Sequence, residues 1–375
     1  MKIIDKIVKY KLMKRYIITT DGGLGNQMMN YCLWYYLTSV KNMKAILYPT
    51  RDVCLNKIFN NTQKEFPSKW YINAYLKIVL SYIIPIYRRI IRLLHIKTNN
   101  ILLYFPIKIV EFLGWEDYHF IGEISQLKKI FEFPILDDKN MKVADLMRTS
   151  ESVSVHVRRG DYQDNVFWRI RLGDICDKAY YTEAISKAES LLTNPTYFVF
   201  SDDIEWVKSN LDIKNAIYID WNKGENSYRD MQLMSYCKCN ICANSTFSLM
   251  GAWLNAHPDS IRMIPTKWQN QYNDSTFSKY IPNEGWIPIN NTIPTVSIII
   301  TSPVLKEDIK NLLNQTYTDF EILLEYDSLF VGLDGRVKGN ISPSGRLIMR
   351  IDNCAPLKER KYLERWVSNE LEKQM

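Results

Sequence analysis

The stretch Ser152-Val-Ser-Val-His-Val-Arg-Arg-Gly-Asp161 decides how this chain reads. A period of two puts Val153, Val155 and Val157 on one face, and Ser154, His156 and Arg158 on the other. A strand therefore runs out at Arg158, and a turn containing Gly160 follows. The same grammar of apolar strand, polar turn and helix continues downstream. Thr196-Tyr-Phe-Val-Phe200 meets Ser201-Asp-Asp203, and Ala216-Ile-Tyr-Ile219 is a further strand. A helix is expected over about Tyr228 to Tyr236. Cys239-Asn-Ile-Cys-Ala243 then leads through Asn244-Ser-Thr246 into a helix from Phe247 to Ala256, and Ile261 to Ile264 closes the series. Upstream, Tyr16-Ile-Ile-Thr-Thr-Asp21 runs into Gly22-Gly-Leu-Gly-Asn-Gln27, and Met29, Leu33, Leu37 and Val40 then follow at near-helical spacing.

Strands alternating with helices make parallel sheets in α/β layers. The expected architecture is two Rossmann-like domains facing a cleft, with a helical insertion and a small C-terminal appendage. The divisions expected are a basic extension over 1–15, a first domain over 16–150 with an insertion at about 70–114, a second domain over 151–290, and a tail over 291–375. In the insertion, the apolar runs Ile78 to Tyr87 and Ile101 to Ile107 are broken by Arg88, Arg89, Arg92, His95 and Lys97. One reading is a helical pair on an anionic membrane surface. The other, slightly favoured because apolar residues run nearly all round, is an ordinary insertion packed on its own domain. Asn283 to Pro294 reads as a linker, and Thr295-Val-Ser-Ile-Ile-Ile-Thr301 as a new buried strand.

Composition sets limits. The 375 residues carry 48 Lys+Arg against 41 Asp+Glu, hence 48 − 41 = +7, with 46% hydrophobic and 24% charged residues. That excludes a disordered or disulfide-dense chain and allows a core of ordinary size. The modest positive charge fits anionic partners such as phosphates. Nucleic acid is not expected, because no basic stripe or known module accompanies that charge. Seven scattered cysteines without a signal peptide point to reduced thiols in the cytoplasm. Cys237, Cys239 and Cys242 lack an obvious fourth ligand for zinc and read as buried thiols.

Four segments could carry chemistry. Arg158 at the carboxyl end of a parallel strand points into the crevice where ligands of such sheets bind, and its guanidinium suits phosphate oxygens. A strand-end salt bridge of Arg158 or Arg159 with Asp161 is the plainer alternative, slightly favoured on spacing alone. Gly23, Gly25 and Asn26 lie where a backbone can approach an anion at a helix N-terminus, though an ordinary strand-to-helix turn would look the same. Ser201, Asp202 and Asp203 could touch a ligand or cap the helix that follows. Asn244, Ser245 and Thr246 open another helix and carry the same two readings.

Taken in order, these segments resemble glycosyltransferase family 11, the α-1,2-fucosyltransferases. The resemblance rests on Gly22-Gly-Leu-Gly-Asn-Gln27, His156-Val-Arg-Arg-Gly-Asp-Tyr162, Phe200-Ser-Asp-Asp203 and Asp230-Met-Gln-Leu-Met-Ser235, the last leading into Asn244-Ser-Thr-Phe-Ser248. It implies a GT-B-like fold and inverting transfer of L-fucose from GDP-fucose to the 2-hydroxyl of a terminal galactose. It implies no metal and no cofactor beyond the donor. Carried onto this chain, Arg158 would meet the donor β-phosphate, and Arg159 and Asp161 would support that loop or touch the nucleotide. Gly23, Gly25 and Asn26 would close over the diphosphate, while Ser201 to Asp203 and Asn244 to Thr246 would complete the pocket. Asp161 or His156 could accept the acceptor's proton. The partners implied are GDP-fucose and a galactose-terminated glycan, in synthesis of a cell-surface polysaccharide or O-antigen at the inner face of a bacterial membrane. Where the family usually has aromatic residues, Leu249 and Met250 stand here. The alternative is a carbohydrate-binding protein of altered specificity, or without catalysis, on a decayed transferase scaffold. The tail, with Leu312-Leu-Asn-Gln-Thr-Tyr-Thr-Asp-Phe-Glu-Ile322, looks like the opening of a family 2 glycosyltransferase without its later residues.

Overall fold

The computed structural model describes residues 15–20, 22–49, 54–65, 82, 107–111, 119–270, 285–290, 296–301, 306–313, 315, 320–324, 337–338, 347–351 and 361–373. Its architecture is α/β, and its three sheets are wholly parallel. The first sheet has β1 (Arg15–Thr20) between β2 (Lys44–Pro49) and β3 (Ile107–Glu111). Helix α1 (Leu24–Tyr35) follows β1 directly. Strand β3 corrects the reading of 70–114 as wholly helical: Ile107-Lys-Ile-Val-Glu111 pairs with β1 from Arg15↔Ile107 to Thr19↔Glu111. Apart from Tyr82 and β3, the insertion and its membrane reading lie outside the described residues, as does the extension 1–14. Among the described residues, no helix is long and apolar enough to cross a membrane.

The second sheet has six strands in the order β6-β5-β4-β7-β8-β9. These are β4 (Ser152–Val157), β5 (Thr196–Ser201), β6 (Ala216–Ile219), β7 (Cys239–Ile241), β8 (Ile261–Pro265) and β9 (Trp286–Ile289). Strand β4 is buried along its whole length, as expected of a central strand covered on both faces. Val153, Val155 and Val157 point into one core with Tyr180, Tyr181 and Ala184 of the helix Lys178–Leu191. On β5 the faces divide: Tyr197 and Val199 join that core, while Phe198 and Phe200 join a second with Ala144, Met147, Leu233 and Met234. The helix Asp138–Thr149 therefore packs on the second sheet, not with the first domain to which a division at 150 assigned it. Its apolar stripe, Ala144 and Met147, finds its partners only there. Likewise Trp286–Ile289, expected within a linker, extends the sheet beside β8, with Met263↔Ile287 in register.

The strand order reverses between β4 and β7, which opens a crevice at their carboxyl ends. Two tyrosines fix its walls: Tyr181 Oη donates to the His156 carbonyl at 3.0 Å and Tyr180 Oη to the Cys242 carbonyl at 2.5 Å. The first sheet reaches the crevice through α1. Met28, Met29, Cys32 and Leu33 of α1 share one core with Leu249, Met250 and Trp253 of the helix Thr246–Leu254. Leu249 and Met250, which stand where the resembled family usually has aromatic residues, are fully buried there and pack the two units together.

The third sheet, in the order β12-β11-β10-β13, comprises β10 (Val296–Ile300), β11 (Phe320–Leu324), β12 (Val337–Lys338) and β13 (Leu347–Ile351). Its core contains Ile298, Ile322, Ile309, Leu363 and Val367.

The point where the two units touch is tight. A Cβ on Gly25 would stand 2.5 Å from the Thr246 carbonyl carbon and 2.6 Å from Phe247 N, both backbone atoms with no room to move aside. Gly25→Ala is expected to lower unfolding free energy by roughly 1–3 kcal/mol. A urea titration at neutral pH checks this, and an unchanged midpoint would contradict the contact.

Candidate functional site

The crevice is built by loops that leave β4, β5 and β7. Arg158 follows the last residue of β4, and the next helix, Gly160–Asp164, is a single turn carrying Asp161. The Arg158 guanidinium holds two carboxylates: Nη1 to Asp202 Oδ2 at 2.6 Å and Nη2 to Asp161 Oδ1 at 2.5 Å. The other Asp202 oxygen accepts from the Arg159 amide at 2.8 Å. Arg159 Nε reaches Asp203 Oδ2 at 3.0 Å, and its guanidinium lies 4.0 Å over the Trp206 ring. Asp203 also caps its helix, Oδ1 accepting from Trp206 N at 3.1 Å, and its own amide donates to Ser201 Oγ. The capping and ligand readings of Ser201-Asp-Asp203 thus merge: the pair caps a helix and orients both arginines. A Cβ at Gly160 would stand 2.5 Å from Asp202 Oδ2, so a side chain there would push that carboxylate away from Arg158.

The loop after β7 works differently. Asn244 Nδ2 donates to the Leu172 and Trp268 carbonyls at 3.0 and 3.3 Å, and its own carbonyl accepts from Tyr162 Oη at 3.3 Å. Its side chain is spent on the scaffold. Ser245 is the N-cap of the helix Thr246–Leu254, accepting from Phe247 N. Thr246 Oγ1 donates to Asn26 Oδ1 at 2.6 Å, which ties the first unit to the second. Gly25 lies at that contact, and Gly23, the N-cap of α1, is exposed with open space around its Cα. Among the three residues expected to close over a diphosphate, Gly23 faces solvent, while Gly25 and Asn26 hold the two helix N-termini side by side.

His156 is not on the open rim. It is 7% exposed, beside the Phe247 ring at 5.6 Å, and its Nδ1 is buried without a partner among the described residues. Burial, and then the charge of Arg158, push its pKa down to about 3, so the imidazole is neutral at any ordinary pH. Asp161 is the solvent-facing candidate of the two, with a side chain 49% exposed.

Sequence reasoning missed Trp206 and the Tyr180–Tyr181 pair, whose positions on helices carry no signal of their task, and gave Tyr162 no role beyond its place in the motif. It also left Asp230 without a role. Asp230 accepts from Asn222 Nδ2 at 2.8 Å, and burial raises its pKa to about 7.

The arrangement offers an anion two helix N-termini and a fixed guanidinium at the carboxyl end of a central parallel strand. With that geometry stands the comparison with known proteins: Glycosyl transferase family 11 matches residues 3–290. The chain belongs to this family. It is 37% identical over 190 residues to an alpha-1,2-colitosyltransferase of Escherichia coli, covering 48% of this chain and 62% of that protein. It is 35% identical over 144 residues to the O-antigen biosynthesis glycosyltransferase WbnK of Escherichia coli, covering 38% and 46%. Against the galactoside alpha-(1,2)-fucosyltransferase 2 of Mus musculus, it is 23% identical over 267 residues, covering 65% and 69%. The match thus spans less than two thirds of either bacterial relative.

Asp230 yields a pH test. Its folded pKa, about 7, lies above the ordinary 3.8, so the folded state binds the proton more tightly than the unfolded state does. The stability this gives is full below about pH 4 and is lost as pH rises through about 7. Asp230→Asn should therefore gain stability relative to wild type at pH 8 and little or none at pH 4. Denaturant midpoints at the two pH values measure the difference, and a gain equal at both would contradict the assignment.

Proposed function

We propose that this glycosyltransferase-family protein transfers L-fucose from GDP-fucose to the 2-hydroxyl of a terminal galactose, with inversion and without a metal. The observation that carries the reading is the Arg158 guanidinium. Of its five N–H bonds, two are used by Asp202 and Asp161, leaving 5 − 2 = 3 for a phosphate, and its side chain is 34% exposed at the crevice rim. Membership of the family and the names of the relatives support the sugar class.

In the step proposed, the bond between the sugar C1 and the β-phosphate oxygen breaks with its electron pair on that oxygen. The acceptor O2 bonds to C1 from the opposite face, and its proton passes to the Asp161 carboxylate. Arg158 and the amides at the start of α1 and of the helix Thr246–Leu254 stabilise the departing GDP. Arg159, held by Asp203 and Trp206, supports the loop, and Ser201, Asp202, Asn244 and Ser245 shape it from beneath. His156, buried and neutral, acts as packing. The reaction would take place in the cytoplasm on a glycan of the cell-surface polysaccharide class.

A second reading changes the donor. The Escherichia coli colitosyltransferase favours a colitosyl group, which lacks the 3-hydroxyl of fucose. A site that hydrogen-bonds this hydroxyl rejects the deoxy sugar strongly, whereas a site without a partner for it discriminates weakly. Purified protein given GDP-fucose or GDP-colitose with a lactose-type acceptor separates the two by product mass. Absence of product from both donors would remove the transferase reading.

Two further outcomes are expected. EDTA leaves the rate unchanged, and Arg158→Ala lowers kcat by roughly 10²–10³, as removal of one anion-stabilising donor does elsewhere. Asp161→Asn lowers kcat by roughly 10² and tightens GDP binding in calorimetry, because a competing carboxylate is neutralised. Loss of GDP affinity in that variant would make Asp161 a scaffold residue instead.

A further inference from the structure

The C-terminal α/β unit does not close its own core. Among the residues buried with Val296, Ile298, Leu363, Val367 and Leu371 is Ile170, from the second unit, with Val166 packed alongside. Both lie on the helix Val166–Leu172, one turn apart on a single face, and this helix packs on the C-terminal helix Tyr362–Lys373.

The helix Val166–Leu172 begins two residues after the helical turn that carries Asp161. The two are knitted into one compact piece. Gln163 Nε2 and Arg169 Nε both donate to the Asp174 carboxylate, at 3.1 and 3.2 Å. The far end is pinned by Asn270, whose amide and side chain donate to the Arg171 and Gly173 carbonyls at 2.7 and 2.9 Å, and by Asn244 on Leu172. Among the described residues, the apolar cluster that takes in Ile170 and Val166 is the C-terminal core.

We infer that the C-terminal unit is a working part of the donor site: helix Tyr362–Lys373 clamps Ile170 and so sets the position of the Arg158–Asp164 turn. The inference builds on the donor-binding role proposed above, and makes Ile170, Leu363 and Val367 positioning residues. The sequence gives the tail a resemblance to the start of another glycosyltransferase family. The packing gives it a different task, the bracing of a loop whose arginine must meet a phosphate within a fraction of an ångström.

Hydrogen–deuterium exchange of the full-length protein tests it without any substrate. The reporter is the Gln163 amide, which donates to the Arg159 carbonyl at 3.0 Å across the turn. Leu363→Ala and Val367→Ala should each speed its exchange roughly ten-fold, since local opening follows the loss of buried apolar contacts. Val337→Ala trims the same core from the edge strand β12 and should leave Gln163 unchanged. If the alanine variants do not fold, Ile170→Val supplies the same comparison with a smaller deletion. Unchanged exchange in the clamp variants, or equal loosening by Val337→Ala, overturns the inference. In the transfer assay, the clamp variants should raise KM for the nucleotide sugar several-fold with KM for the acceptor unaltered. A purely structural role would move neither. The two readings fail separately: faster exchange in the clamp variants together with a wild type inactive on GDP-fucose would sink the fucosyl reading and keep the clamp, while a wild type active on GDP-fucose with unaltered exchange in the variants would do the reverse.

Discussion

Two helices meet N-terminus to N-terminus at Gly25 and Thr246, and much of the structure depends on that approach. It is possible only because position 25 has no Cβ, and the Asn26–Thr246 hydrogen bond fixes it laterally. Behind the contact, the apolar faces of both helices merge into one core with Met28, Leu33, Leu249 and Trp253. The two α/β units are therefore joined by a packed core at this point. The N-termini of both helices consequently lie side by side, one of them in the loop after β7, the strand next to β4. The positive ends of two helix dipoles, brought together, favour an anion more than either would alone.

The charged groups around Arg158 seem at odds with that preference only when counted formally. Arg158 and Arg159 face Asp161, Asp202 and Asp203, so the cluster carries 2 − 3 = −1. A −1 cluster should repel a diphosphate. Its carboxylates, however, are not equivalent. Asp202 is bound to the Arg159 amide and Asp203 caps a helix, so both are committed to backbone as well as to guanidinium. Asp161 holds Arg158 alone and is the most exposed of the three. With Asp161 turned aside, the fixed pair stays in place and the cluster carries 2 − 2 = 0. The weakly held Asp161 carboxylate thus keeps the Arg158 guanidinium oriented in the free site, ready for the anion proposed above.

The second sheet was legible because its strands are buried on both faces and read as apolar runs ending in polar turns. Five of its six strands follow the order of the sequence signals, and Arg158 stands where the alternation ends. What escaped was decided by packing. The helix Asp138–Thr149 could be seen, but not which sheet would receive Ala144 and Met147. Trp286–Ile289 has a proline inside it and Gly285 before it, punctuation that suggests a loop, yet an edge position beside β8 tolerates both. At the site, the types of residue were legible and their duties were not. Asn244 and Asn26 carry side chains suited to a ligand, and the structure uses them to tie strands and helices together. Trp206 sits on a helix as any core aromatic might, and only the return of Arg159 across the crevice gives it a partner.

These supports form a hierarchy that bears on mechanism. Tyr180 and Tyr181 hold the carbonyls at the ends of β7 and β4, so the backbone that launches both loops is fixed from below by buried hydroxyls whose pKa burial raises far above any working pH. They remain protonated donors throughout. Next come Asp202, Asp203 and Asn244, which fix the loops to one another. The outermost layer is the Arg158–Asp161 pair, whose carboxylate is the most exposed of the three and has no backbone donor to hold it among the described residues. Under the transfer proposed above, reorganisation on binding would be confined to side chains at the rim, while the backbone beneath keeps its position. That division would serve a reaction without a metal, because fixed dipoles stabilise a developing anion only to the extent that they need not turn to meet it.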